Sequence, residues 1–325
     1  MMDAETADLL GESLERAFRH AAAAEVEAAL DEVGWREALA EEGGAVVPLL
    51  FTRQGMANAA SGALDDLLTA ALGLPADAGT AFVLPEFGGY GAPGSTEDGA
   101  LALRGLGTAR MSGAARAVVL AAGRDGALRA FTVETGKLGV RPIGGVDPRL
   151  GLVAVEGRGL TASGGSAITA AAWEGALAAG RAAVACELIG ASRTMLRLAR
   201  EHAVTRVQFG RPIGAFQAVR HRLAESLVAI ESAEAAATAA IEPDGGVSPL
   251  PAGMAKALAG RNARTVARHC QQVLAGVGFT AEHDFHHYFR RILTLDGLLG
   301  DARTLTRELG EGLLRDRRLP AAPCL

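Results

Sequence analysis

Apolar residues recur every three or four positions from Thr6 to about Leu72, broken by the pair Gly43-Gly44 and by Pro48. That spacing predicts an all-helical N-terminal domain over residues 1–78. From about Ala81 to Gly159 the texture changes to short apolar or alternating runs, "AFVLPEF", "ALALRGL", "RAVVLAAG", "LRAFTVE" and "LGLVAVEG", set apart by Gly, Pro, Asp and Ser. These predict a small middle β domain over 79–160. "TASGGSA", Thr161 to Ala167, reads as the linker into a helical domain over 161–325. There Val184, Leu188, Ala191, Met195 and Leu198 fall on one face of a long helix through Arg181 to Gln208. After a turn at Gly210, Pro212 and Gly214, Phe216, Val219, Leu223, Leu227 and Ile230 repeat the stripe, which predicts an antiparallel helix pair. Glu242 to Gly253 reads as a loop, followed by a third helix from about Met254 to Leu274. The fold class expected is α+β, mostly α.

Composition narrows the classes of function. Of the 325 residues, 49% are hydrophobic and 21% charged, and no apolar run is long enough to span a bilayer. The start is acidic and amphipathic, without the basic-then-apolar order of a secretory signal, so a cytoplasmic protein with no membrane partner is expected. Cys186, Cys270 and Cys324 are too few and too far apart for a disulfide framework or a structural zinc site. The net charge is −5, and the basic residues gather from Arg193 onward rather than in a stripe, which argues against nucleic acid. Aromatics are only 4% while alanine and glycine abound, which suggests closely packed helices whose alanine-rich outer faces bury against other subunits.

Two stretches carry candidate chemistry. "TRVQFGRPIGAFQAVRHRLAE" joins the two long helices, and "QVLAGVGFTAEHD", Gln272 to Asp284, follows the third. On spacing alone, an R-x-x-F-G turn also serves simply to cap one helix and start the next. Together, in this order around these helices, the two stretches resemble the acyl-CoA dehydrogenase family, over nearly the whole chain to about Gly310. The resemblance implies an N-terminal helical domain, a middle β domain and a C-terminal four-helix bundle that together hold FAD, with a base removing the α-proton of an acyl-CoA thioester while hydride passes to the flavin. It places Arg206 against the FAD pyrophosphate, where a guanidinium can pair two phosphate oxygens. Val207 and Gln208 supply adjacent contacts and Phe209 packs under the cofactor. Phe216 and Gln217 open the second helix beside the same dinucleotide. Gln272, Val273, Leu274, Ala275 and Gly276 line the adenosine side, with Ala275-Gly276 where two glycines are usual. In the family, these segments reach into a neighbouring subunit's flavin site.

The pattern fails elsewhere. Aligned on Phe209-Gly210, one family position for the catalytic glutamate falls on Gly180, followed by Arg181; the other falls on Leu299-Gly300. No catalytic residue is therefore assigned. The loop that lies beside the flavin ring in the family reads "VLPEFGGYGAPGSTEDG" here, and "GLGTARMSGA" replaces a Gly-Thr-Lys strand. The resemblance is closest to short actinobacterial, steroid-degradation-like forms that assemble as α2β2 heterotetramers. It implies a subunit of an FAD-dependent acyl-CoA dehydrogenase that lends cofactor-binding residues to a paralogous partner carrying the base, with a bulky acyl-CoA substrate and electron-transfer flavoprotein or a similar acceptor. A flavin-free scaffold subunit and an oxidase or monooxygenase relative are the alternatives.

Three further features have simpler readings. Glu187 is a candidate substitute base, but a buried glutamate is more often paired with an arginine of a neighbouring helix; Asp296 is a weaker candidate of the same kind. His283 and His287, four apart with Asp284 nearby, have metal-ligand spacing but no third ligand, and no metal is assigned. Arg303 to Arg318, interleaved with Glu308, Glu311 and Asp316, reads as a solvated helix face.

Overall fold

The computed structural model describes residues 4–20, 25–161, 165–242 and 245–317. Five helices form the first layer: α1 (Ala4–His20), α2 (Val26–Val33), α3 (Trp35–Glu42), α4 (Val47–Ala57) and α5 (Ala63–Ala71). Gly43-Gly44 does break the pattern, as a 3-10 turn. Pro48 does not: it sits in the first turn of α4, where its missing N–H leaves no helical bond unmade.

The middle of the chain forms one eight-stranded sheet from β1 (Thr80–Phe82), β2 (Gly94–Glu97), β3 (Ala100–Gly107), β4 (Arg116–Gly123), β5 (Leu128–Glu134), β6 (Gly139–Pro142), β7 (Val153–Thr161) and β8 (Ser166–Ile168). Its order is β6-β7-β3-β2-β4-β5-β8, with β1 also on β4. Pairing is antiparallel except where β1 and β2 run parallel to β4. In β4, Val118 and Leu120 face the main core while Ala117, Val119 and Ala121 face a second, smaller one, as the period of two requires. The expected linker differs at its end: Ser166–Ile168 pairs with β5 and satisfies backbone groups that an open edge leaves bare. Residues 162–164 of that stretch lie outside the described residues.

Helices α6 (Ala170–Thr205), α7 (Gln217–Thr238), α8 (Pro249–Leu274), α9 (Phe285–Asp296) and α10 (Ala302–Asp316) complete the chain. α6 has 36 residues, about 54 Å at 1.5 Å per residue. The expected loop from Glu242 to Gly253 is shorter than its prolines suggest, because Pro249 and Pro251 lie in the first turn of α8; residues 243–244 lie outside the described residues. α7 buries less of its stripe than expected: Ile230 is in the core, but Leu227 and the adjacent Val228 are 45% and 68% exposed.

Two glycines bring the first layer onto the bundle. A Cβ on Gly55 of α4 would lie 2.1 Å from the Glu187 carbonyl oxygen, and one on Gly190 of α6 would lie 2.0 Å from the Thr52 carbonyl oxygen. Only glycine lets these two backbones touch. Asp65 of α5 ties the same layer to the sheet, accepting from Phe82 N at 2.7 Å and Thr108 Oγ1 at 2.7 Å. Cys186 and Cys270 are buried, and burial pushes both thiols up to about 12; Cys324 lies outside the described residues.

Candidate functional site

Past the last turn of α6 the chain makes a two-residue hairpin, β9 (Val207–Gln208) on β10 (Arg211–Pro212). Phe209 and Gly210 form its turn with φ of +49° and +78°, the pair of left-handed conformations that a tight hairpin demands. Glycine adopts this freely, whereas phenylalanine is strained there by about 1 kcal/mol. The strained ring is also 93% exposed. It meets Phe216 edge to face at 6.2 Å, and the Arg211 guanidinium lies 4.3 Å from the centre of the Phe216 ring. Arg206 and Gln208 are exposed; Gln208 Nε2 donates to the Val207 carbonyl at 2.7 Å. Among the described residues Arg206 has no ion-pair partner. Gln217 opens α7, and no side chain caps that helix start; Val219 N and Arg220 N donate to the Phe216 carbonyl, which leaves the N–H groups of Gln217 and Ala218 uncapped.

The second motif ends α8 at the same end of the antiparallel bundle. Burial lowers the pKa of His202 of α6, and the nearby His283 and Arg206 add to that. Gln272, Ala275 and Gly276 are exposed, whereas the side chains of Val273 and Leu274 are buried in the core. Those two anchor the segment and leave only backbone to a ligand. Ala275 has φ +53° and ψ −131°, a conformation that belongs to glycine.

The two positions where a carboxylate is expected in the family meet in space. A Cβ on Gly180 would lie 2.6 Å from Leu299 Cδ1 and 3.0 Å from Leu68 Cδ2. Leu299 is 2% exposed, so leucine side chains fill this position. Its loop is held from several sides. Arg181 Nε donates to the Leu299 carbonyl at 3.0 Å; Lys256 Nζ donates to the Asp296 and Gly300 carbonyls at 2.9 and 3.2 Å. Lys256 is fully buried, and burial pulls its pKa down to about 8 against the opposing charge of Asp296. The loop after β1 packs directly on the same segment: Gly88 N donates to Gly297 O at 2.7 Å, and Phe87 and Tyr90 abut Gly297 and Gly300. The start of α10 is closed too, since Asp301 accepts from Arg303 N and Thr304 N.

The remaining candidates resolve into structural roles. Arg291 of α9 is wholly buried and pairs with Glu187 at 3.0 Å and Asp147 at 2.6 Å, while donating to the Asn58 and Ala59 carbonyls. Gln54 donates to the other Glu187 oxygen at 2.9 Å. Burial raises the Glu187 pKa and Arg291 opposes it, so this carboxylate is a paired core group. Asp296 is held by Lys256 and Arg264. His286 and His287 stack at 3.7 Å, and among the described residues no three His, Cys, Asp or Glu side chains converge. No helix there is long and apolar enough to cross a membrane. Asp147, Gln54 and Lys256 carried no sequence signal of their roles, because each acts on residues far away in the chain.

A helical layer, a mixed sheet and a long-helix bundle define the acyl-CoA dehydrogenase fold. The chain superposes on one chain of the ChsE4-ChsE5 complex of Mycobacterium tuberculosis with a TM-score of 0.78 at 21% identity, covering 98% of this chain and 99% of that one. It superposes on the Tcur3481-Tcur3483 steroid acyl-CoA dehydrogenase variant with a TM-score of 0.74 at 24% identity, covering 96% and 99%. Residues 170–314 match the acyl-CoA dehydrogenase C-terminal domain. The chain is 40% identical over 126 residues to the acyl-CoA dehydrogenase IpdE2 of M. tuberculosis, a match spanning 39% of each. Residues 170–314 are thus similar to the acyl-CoA dehydrogenase C-terminal domain, the chain spans well under half the length of the curated relatives it matches, and the chain shares the fold of the solved acyl-CoA dehydrogenases.

Proposed function

We propose that this chain is one subunit of a flavin-dependent acyl-CoA dehydrogenase, and that it lends Arg206 and its neighbours to the FAD of a paralogous subunit that carries the catalytic base. The observation that carries this reading is a separation along one helix. Gly180 and Arg206 are 26 positions apart on and just past α6, roughly 39 Å, which is longer than an extended dinucleotide. The hairpin therefore serves a cofactor whose ring lies in another subunit.

FAD fits one half of this chain and not the other. At the hairpin end, an unpaired guanidinium, exposed aromatic faces and an uncapped helix start suit a diphosphate and a nucleoside. Arg206 would pair phosphate oxygens, the first N–H groups of α7 at Gln217 would add to that contact, and Phe209 with Phe216 would cover an apolar face. Gln272 and the Ala275-Gly276 backbone would lie against the adenosine. At the ring end, the contact of Gly88 with Gly297 and the leucines around Gly180 leave no fit. When bound, FAD supplies the hydride acceptor for α,β-dehydrogenation of an acyl thioester. The α-proton is left to a carboxylate of the partner. A bulky, steroid-derived acyl-CoA agrees with the steroid enzyme among the fold neighbours, and electron-transfer flavoprotein or a similar acceptor would reoxidise the complex.

Flavin content tests the proposal. The chain is expressed alone and together with a paralogous acyl-CoA dehydrogenase subunit, and bound flavin and acyl-CoA-dependent bleaching are measured. We expect flavin only in the joint complex, and at least a tenfold loss when Arg206→Ala is introduced in this chain without loss of assembly on gel filtration. Undiminished flavin in that variant would leave only the scaffold role, which the closed ring site also suits. Full activity of this chain alone would overturn both.

A further inference from the structure

The backbone from Arg206 to Phe216 is closed on itself. Arg211 pairs with Gln208 across the hairpin, Ile213 N donates to the Arg206 carbonyl at 2.8 Å, and Phe216 N donates to the Ile213 carbonyl at 3.1 Å. Gly214 seats the turn on the end of α6, where an added Cβ would lie 3.1 Å from the Ala203 carbonyl oxygen. These bonds fix where the Phe216 side chain starts but not which way its ring points, because a half-exposed phenyl group has several staggered rotamers open to it. The Phe209 ring, set at 86° to that of Phe216, is itself almost wholly exposed and makes a poor buttress.

The other neighbour of that ring is a cation. The Arg211 guanidinium carbon lies 4.3 Å from the ring centre, within the range at which an aromatic face attracts a positive charge. Among the described residues neither Arg206 nor Arg211 has an ion-pair partner, and of the two only Arg211 lies over a ring. The two free arginines of the hairpin are therefore not equivalent. A guanidinium is planar and weakly hydrated, so it can rest on an aromatic face where a lysine ammonium keeps its water. A ring held in this way is already ordered when a ligand arrives, which removes the cost of immobilising it on binding.

We propose that Arg211 is a positioning residue: stacked on Phe216, it holds that ring beside Phe209 before any nucleotide is present, and it leaves the phosphate oxygens to Arg206. This role rests on the flavin reading above, and one of its two tests needs no flavin. Trp35 and Trp173 are 1% and 7% exposed, so acrylamide reaches mainly the indole that Phe216→Trp introduces. In the full chain carrying Phe216→Trp, adding Arg211→Met should raise the acrylamide quenching constant about twofold. In the joint complex, Arg211→Met should shorten flavin retention about threefold, and should shorten it no further when Phe216→Leu is also present, with assembly and melting temperature unchanged. An unchanged quenching constant would overturn the proposal. So would an equal loss from Arg211→Met in the Phe216→Leu background, which would mean that Arg211 meets the phosphates itself. Flavin lost with Arg206→Ala but fully kept with Arg211→Met would overturn this role and leave the flavin reading standing. Undiminished flavin with Arg206→Ala would remove that reading and this role with it.

Discussion

α6 reads differently at its two ends. At Gly180 the apolar gap is filled by Leu299 and Leu68, and the Glu187 carboxylate is held by Arg291 and Gln54. Past Thr205 the same helix releases a hairpin with an exposed phenylalanine in a strained conformation and an arginine that has no ion pair among the described residues. Stability alone favours the first arrangement and gains nothing from the second. The contrast teaches where a ligand or partner is needed: burial and pairing mark a charge that holds the fold, whereas exposure combined with strain marks one kept for something outside it.

That contrast can be broken by substitution. The largest effect should come from Arg291→Met, which strands the Glu187 and Asp147 carboxylates in the core. A cost of about 3–5 kcal/mol is expected from urea unfolding. If the loss is under 1 kcal/mol, the buried cluster is not what holds the closed end. Leu299→Ala opens a gap beside Gly180 and should cost about 2–4 kcal/mol. If the proposed FAD contacts at Arg206 are right, the flavin content of the assembled complex should stay unchanged, because they lie at the other end of α6.

A pH effect sharpens the picture at the joint between the first layer and the sheet. Burial raises the Asp65 carboxyl from 3.8 to about 6, against the opposing charge of Arg110. A folded-state pKa above the unfolded one means that the protonated acid favours folding. Its contribution is present below about pH 4 and is lost as pH rises through about 6. Relative to the parent, Asp65→Asn should therefore gain about 2 kcal/mol between pH 4 and pH 7, measured as the difference between two unfolding curves at each pH. The smallest effect belongs to Ala275→Gly, which relieves a conformation suited to glycine. It should stabilise by about 1 kcal/mol, and a lower melting temperature in that variant would argue against strain at the end of α8.

The layers of the fold were legible because each is written locally. The four- and three-residue spacing from Val184 to Leu198 and the alternation in "RAVVLAAG" need no distant partner to be read. Prolines misled where they were taken as breaks, since Pro48 and Pro249 begin helices. At the site, the motif was legible because Arg206 through Gln217 is one continuous stretch, but its hairpin was not: the helix expected to reach Gln208 ends at Thr205, and Val207–Gln208 pairs as a strand instead. The missing carboxylates at Gly180 and Leu299 were visible one by one, but 119 residues separate them and their contact is a product of packing. Separation along the chain likewise hides the partnership of Arg291 with Asp147 and Glu187, 144 and 104 positions away, and the place of Arg181 over the Tyr90 ring.

The backbone contact that Gly55 and Gly190 permit has its own consequence for how the molecule can be taken apart. Two helices seated main chain on main chain cannot be solvated separately without exposing a seam along the middle of the longest rod. A fragment starting near residue 165 should therefore be recovered as aggregate, and exchanging whole layers with a relative should work only when α4 and α6 travel together.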